Sequence, residues 1–180
     1  PVALRYDNEG IGRSYGFELL VRHDLNKNLS GWLSYTLSRA ERELSGQTEM
    51  RLFENDQTHI LQALGAYRLP ARFELSSRVR YVTGNPTTPV ADAVFVSDSD
   101  EFAPIPGEYN GDRLPAFFQL DARVSRTWLF RTWQLETYLD VQNVTNRKNT
   151  EQIAYSYDYS EKGPATGLPI LPALGVKASW

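Results

Sequence analysis

The chain has no cysteine among its 180 residues, which excludes a disulfide scaffold and any thiolate metal site and leaves the compartment open. Nor does it hold a run approaching the roughly 18 apolar residues that a membrane-spanning helix requires. Its charged fraction is 23% and its mean hydropathy is negative, so a helical membrane protein is excluded. Charge of one sign is also lacking: the net charge is −3 and the basic residues are scattered, which leaves no nucleic-acid surface. His23 and His59 stand in different segments without HExxH spacing, and GxSxG, Walker A and dinucleotide fingerprints are absent. No catalytic residue, resident metal or cofactor is predicted. A signal peptide is missing too, and Pro1–Asp7 reads as the end of a surface loop, so the chain is expected to be a fragment or a cut-out domain.

None of these absences touches a β-barrel. A strand that faces lipid on one side and water on the other averages to a polar-looking segment. What the sequence does have is aromatic residues, 12% of the chain with ten Tyr and four Trp, and a period-two alternation over almost its whole length. Tyr15, Phe17, Leu19 and Val21 alternate with Gly16, Glu18, Leu20 and Arg22. A second strand over Leu29–Ala40 puts Leu29, Leu33, Tyr35 and Leu37 on one face, with Trp32 unexplained on the polar one. A third, Thr58–Leu69, has an ambiguous phase because Ile60 and Leu64 oppose Leu61 and Tyr67. The fourth, Arg72–Thr83, sets Phe73, Leu75, Val79 and Tyr81 against Glu74, Arg78 and Arg80. In the fifth, Phe117–Leu129, Phe118, Leu120, Val124 and Trp128 oppose Gln119, Asp121 and Arg123. The sixth, from Trp133, opposes Leu135, Leu139 and Val141 to Glu136, Tyr138 and Asp140. It is read as running on through Asn143–Asn146, by a bulge or a plain loop, into the Tyr-rich segment Ile153–Tyr159. The last strand is Leu171–Trp180.

The connections alternate in length. Short turns follow strands one, three and five; the long, Pro-, Gly- and Asp-rich stretches follow two, four and six. A structureless loop of about thirty residues, as at Gly84–Leu114, is uncommon in a compact domain, whereas long loops on one rim and short turns on the other are ordinary in an outer-membrane barrel. Strand length points the same way, because strands of about 11 residues suit a tilted membrane crossing and sandwich strands average about 5 to 6. Tyr67, Trp128, Trp133 and Trp180 all fall on the short-turn side, where they would form an aromatic girdle. An Arg on the lipid face near the midplane costs about 2–4 kcal/mol. Glu18, Arg22, Glu74, Arg78, Arg80, Asp121, Arg123, Glu136 and Asp140 all avoid the apolar face. Arg126 is out of phase, two residues before Trp128, from where it can snorkel.

The residues from Arg113 onward carry a family resemblance. Arg113-Leu-Pro-Ala-Phe-Phe-Gln-Leu-Asp-Ala-Arg-Val124 resembles the LPxxxxLDxxV opening of the antepenultimate strand of TonB-dependent outer-membrane receptors. Leu139-Asp-Val-Gln-Asn-Val-Thr-Asn-Arg-Lys-Asn149 resembles their penultimate strand with its NxxN/D element, and Leu168–Trp180 resembles their closing strand, with Trp180 where the family usually has Phe. Tyr15–Glu18 and Gly31–Ser38 are weaker matches. The resemblance implies an all-β antiparallel transmembrane barrel segment of about seven long strands. It would be the C-terminal part, residues 1–180, of a 22-stranded barrel whose plug domain and TonB-contacting segment lie outside this chain. The implied protein sits in the outer membrane of a Gram-negative bacterium. It binds a scarce siderophore, cobalamin, saccharide or peptide through extracellular loops and imports it with energy relayed by the TonB complex through the plug.

The resemblance also implies site residues and partners. Gly175, Val176, Ala178 and Trp180 would form the signal read by the barrel-assembly machinery, though Trp180 also fits as a girdle aromatic. The nine charged residues above would line the lumen against the plug as a hydrogen-bonded wall. Ligand capture is expected in the loops Glu41–Asp56, Gly84–Asp112 and Tyr155–Gly167, with Tyr109, Tyr155, Tyr157 and Tyr159 as stacking candidates. Asp92, Asp98, Asp100 and Glu101 lack EF-hand spacing and read as a solvated loop. Two further readings stay open: a structural or adhesive outer-membrane barrel without energised import, and a soluble carbohydrate-binding β-sandwich.

Overall fold

The computed structural model describes residues 10–26, 28–43 and 49–180; Pro1–Asp7 lies outside the described residues. The chain is all-β, with antiparallel sheets and one 3₁₀ turn among the described residues. The strands in chain order are β1 Gly12–Asn26, β2 Leu29–Glu43, β3 Met50–Leu52, β4 His59–Leu69, β5 Phe73–Val82, β6 Pro86–Thr87, β7 Val90–Val96, β8 Glu101–Pro106, β9 Asp112–Arg113, β10 Phe117–Leu129, β11 Gln134–Gln142, β12 Thr150–Tyr155, β13 Lys162–Thr166 and β14 Leu171–Ser179. The long strands form one meander in the order β1-β2-β4-β5-β10-β11-β14, with β3 added beside β2. Each long strand pairs with its neighbours in the meander antiparallel, as strands joined by direct reversals do.

Cross-strand register settles which residues share a face, since partners point the same way and a one-residue slip inverts a strand. Leu19, Tyr35, Leu61, Tyr81 and Phe118 form one continuous row across five strands. Leu29, Tyr67, Leu75, Val124, Leu139 and Leu174 form another across six. The ambiguous phase of β4 is thereby resolved: Leu61, Ala63, Tyr67 and Leu69 lie on the apolar face, Ile60 and Leu64 on the polar one. The residue left unexplained by alternation, Trp32, stands opposite Leu64 and shares the polar face with Leu20, making a small apolar island there.

Among the described residues no layer covers either face. The chain exposes 13293 Å², against roughly 8,900 Å² for a compact monomer of its mass. Val82 and Pro86 are the buried apolar residues among the described residues, while Leu174 is 84% and Val176 69% exposed. Within the described residues the seven strands make one layer, not the two layers of a sandwich.

The three short connections lie along one rim, between Asn26 and Leu29, at Pro70–Arg72 and between Leu129 and Gln134. Ala71 and Arg72 take φ of 58° and 61° to close the second. In the third, Phe130 N–H donates to the Trp133 carbonyl (2.9 Å) and the two rings stack at 4.2 Å. Along the rows of paired residues the second turn lies two residues below the first and the third a further three below. A fall of about five residues over four strand spacings, at about 3.3 Å per residue and 4.8 Å between strands, is a slant of about 40°.

The opposite rim carries the long connections, and those after β5 and β11 are folded. Within 83–116, β7 pairs with β8 and β6 with β9, so the thirty-residue stretch is not structureless. The expected continuation of the sixth strand is corrected: β11 ends at Gln142, Asn143 and Asn146 turn the chain with φ of 51° and 49°, and Thr150–Tyr155 pairs with Lys162–Thr166 as a separate hairpin.

Candidate functional site

All nine charged residues singled out by pattern lie on the polar face, but they do not converge on one point. Arg78 donates through Nε and Nη2 to Oδ2 of the buried Asp121 (2.9 and 2.6 Å). The other carboxylate oxygen accepts from Gln119 Nε2 (2.7 Å) and from the Asn143 N–H (2.9 Å). Four donors on one buried acceptor group is the arrangement that makes burial of a carboxylate tolerable. Two residues along the same strand, Arg123 donates to Glu136 of the neighbouring β11 (2.8 Å) and lies over the Tyr138 ring at 3.8 Å. The remaining pairs are looser: Glu74 meets Arg68 at 3.6 Å and Arg22 meets Asp24 at 2.8 Å in the open. Glu18 and Asp140 have no ion pair among the described residues.

Charge also bounds the apolar face. Arg13, Arg39 and Glu41 are in phase with it, at the long-connection ends of β1 and β2. Glu41 is buried between the two guanidinium groups, 2.6 Å from Arg13 and 2.7 Å from Arg39. Toward the other rim, Arg126 lies on the apolar face as its phase requires and stacks on Trp128 (3.7 Å) and Phe73 (4.9 Å).

The rim of long connections is organised by a centre that pattern alone did not reveal. Asp56, 1% exposed, accepts hydrogen bonds from Arg113, the Ala40 N–H (2.7 Å) and Thr58 (3.1 Å). Arg113 also donates to the carbonyls of Asp56 (3.0 Å) and Gly84 (2.9 Å). Burial pushes the Asp56 carboxyl up, but the hydrogen bonds and the Arg113 charge outweigh it and hold the pKa below the usual carboxylate range. Two asparagines act similarly on backbone. Asn149 accepts from the Phe118 N–H and donates to its carbonyl, both at 2.9 Å, standing in for a paired strand. Asn143 holds Arg147 and Leu168. An Asn at every third position, 143, 146 and 149, is the signal that marks this element in the sequence; Asp56 has no such signal.

The four candidate tyrosines all lie on the folded loops, and two of them, Tyr155 and Tyr157, join one loop to another. The Tyr109 hydroxyl accepts from Arg42 (2.6 Å). Tyr155 accepts from the Val90 N–H (3.2 Å), and the Tyr157 hydroxyl donates to the Asp100 carbonyl (2.6 Å) while its ring meets Phe102 edge-on at 5.7 Å. Tyr159 packs on Tyr155 at 5.8 Å. The β12–β13 hairpin is thus docked on the β7–β8 hairpin.

The terminal strand forms one free edge of the sheet. Val176 and Ala178 lie on the apolar face, and Trp180, 97% exposed, follows the strand. Gly175 lies on the other face beneath Tyr138: a Cβ placed there would fall 2.6 Å from Cε1 and closer still to Cζ and the hydroxyl. Comparison of the chain with protein-family models, with curated proteins and with solved structures gives no match.

Proposed function

We propose that this chain is part of the wall of an outer-membrane β-barrel of the TonB-dependent receptor type, which binds a scarce ligand at its outer rim and passes it to the periplasm. One observation carries the reading: among the described residues, a single slanted sheet has an apolar face bounded by charge toward both rims, a polar face that carries most of the strand charges, and no layer over either. Lipid covers an apolar face of that extent without a second sheet, and a wet interior accommodates the charged one. The slant of about 40° falls within the 35–45° that strands adopt when a sheet closes on itself. Short turns on one rim and folded hairpins on the other match periplasmic and extracellular ends. The edges of β1 and β14 are the surfaces that closure would pair.

On this reading the nine polar-face charges look into the lumen toward a plug, the apolar rows meet lipid, Gly175, Val176, Ala178 and Trp180 present the assembly signal, and TonB acts through the plug. The energised step is the part that rests on the sequence resemblance alone. A barrel without energised import shares every geometric feature given above. The experiment is fractionation of the full-length parent protein, with gel migration before and after boiling. Recovery in the outer membrane with a shift on boiling is the expected result; a soluble product with no shift removes the reading.

A further inference from the structure

The two hairpins on the rim of long connections differ in charge from the rest of the chain. With their flanking residues, 84–112 and 150–167, they hold nine acidic residues, seven of them on the hairpins themselves, and one lysine, a net charge of −8 in a chain whose total is −3. All nine carboxylates are exposed, and among the described residues none is in an ion pair. Elsewhere the acids Glu41, Asp56, Asp121 and Glu136 each hold an arginine. Like charge gathered on two hairpins opposes their docking, yet they are docked, through Tyr157 on Asp100 and Phe102 and through Tyr155 on Val90.

Docking also leaves apolar surface uncovered. Phe95 packs on Phe102 at 5.2 Å and Phe102 on Tyr157 at 5.7 Å, so three rings run across both hairpins. Phe95 is 49% and Tyr157 68% exposed, with Val94 and Ile105 also open. A surface that is at once aromatic and strongly negative is complementary to a ligand with apolar groups and positive charge. A small cation would meet only one or two of the carboxylates. Spread over two hairpins, they match an extended polycation.

We infer that the docked β7–β8 and β12–β13 hairpins form a capture surface for a cationic peptide segment bearing aromatic or apolar side chains. The inference rests on the outer-membrane reading, which places these hairpins outside the cell, and it names the ligand chemistry that reading leaves open. The rings supply the contact, and the carboxylates steer the approach and exclude anionic competitors.

The test measures binding of a labelled hexapeptide of alternating arginine and tryptophan to the full-length protein in detergent. An alternating glutamate–tryptophan peptide and a hexalysine serve as controls. The arginine–tryptophan peptide is expected to bind at least about tenfold tighter than either, and to weaken as salt shortens the screening length to about 10 Å at 0.1 M. Asp98→Asn, Asp100→Asn and Glu101→Gln together should weaken it by about tenfold. All three side chains are exposed, and Asn tolerates the positive φ at position 100. Phe95→Ser should weaken it independently. Equal binding of the basic and acidic peptides, or no change in the neutralised variant, overturns the inference. Equal binding of hexalysine removes the aromatic contact and overturns it as stated. Gel migration on boiling is read on the same preparation: a protein that shifts but does not discriminate sinks this inference alone, and one that does not shift sinks the barrel reading while the peptide comparison still decides what the hairpins select.

Discussion

Gly175→Ala tests whether the closing strand is held by a side chain laid over a glycine. The Tyr138 ring occupies the space a Cβ at 175 would need, and register places the two residues directly opposite each other on β11 and β14. An aromatic over a cross-strand glycine covers backbone that the glycine leaves bare and fixes the register of the pair. With alanine at 175 the ring has to swing away, and it leaves the Arg123 guanidinium 3.8 Å from its centre. Overpacking of this kind costs about 1–3 kcal/mol, and loss of a partly exposed cation–π contact adds about 0.5–1 kcal/mol. A destabilisation of about 2 kcal/mol is expected, read as the shift in urea midpoint for the full-length protein folded in detergent micelles. The control is the same substitution in a Tyr138→Ala background. With the ring gone, alanine should cost nothing, or stabilise by about 0.5–1 kcal/mol, because glycine is the poorer strand residue. The coupling energy of the cycle is therefore about 2–3 kcal/mol. Additive effects, with Gly175→Ala costing the same in both backgrounds, would refute the joint.

Val79→Arg, in the middle of an apolar row, should cost about 2–4 kcal/mol in a lipid bilayer while Gln62→Arg, on the polar face, costs under about 1 kcal/mol; equal costs would mean the apolar face does not meet lipid. Asp121→Ala strands Arg78, Gln119 and the Asn143 N–H and should destabilise by about 2–4 kcal/mol, whereas Asp121→Asn keeps an acceptor and should cost less in the same urea titration. Asp56 has a folded pKa below its unfolded value, so its stabilisation is complete above about pH 4 and is lost as pH falls through the folded value. Protection of the Ala40 amide, whose N–H Asp56 accepts, taken relative to the intrinsic exchange rate at each pH, should be high at neutral pH and fall only below about pH 4. Asp56→Asn should remove that acid dependence, and an unchanged profile would refute the assignment.

The sequence by itself determined the seven long strands, their alternation of faces and the parity of short and long connections, because each is a local property. A side-chain period of two is written along one strand, and turn residues sit beside the strands they join. It also carried the exclusion of the nine charged residues from the apolar face, since phase within a strand needs no knowledge of its neighbour. The phase of β4 was not legible, because Ile60 and Leu64 compete with Leu61 and Tyr67 within the strand, and only pairing with Leu33 and Val79 through Ala63 chooses between them. Trp32 stayed unexplained for the same reason until Leu64 was placed opposite it. The β6–β9 ladder, the turn at Asn143 held by Asp121, the Asp56–Arg113 centre and the ring over Gly175 all join residues more than twenty positions apart. Their hydrogen bonds and contacts exist only once register has brought distant backbone together, and a one-dimensional pattern has no term for that pairing.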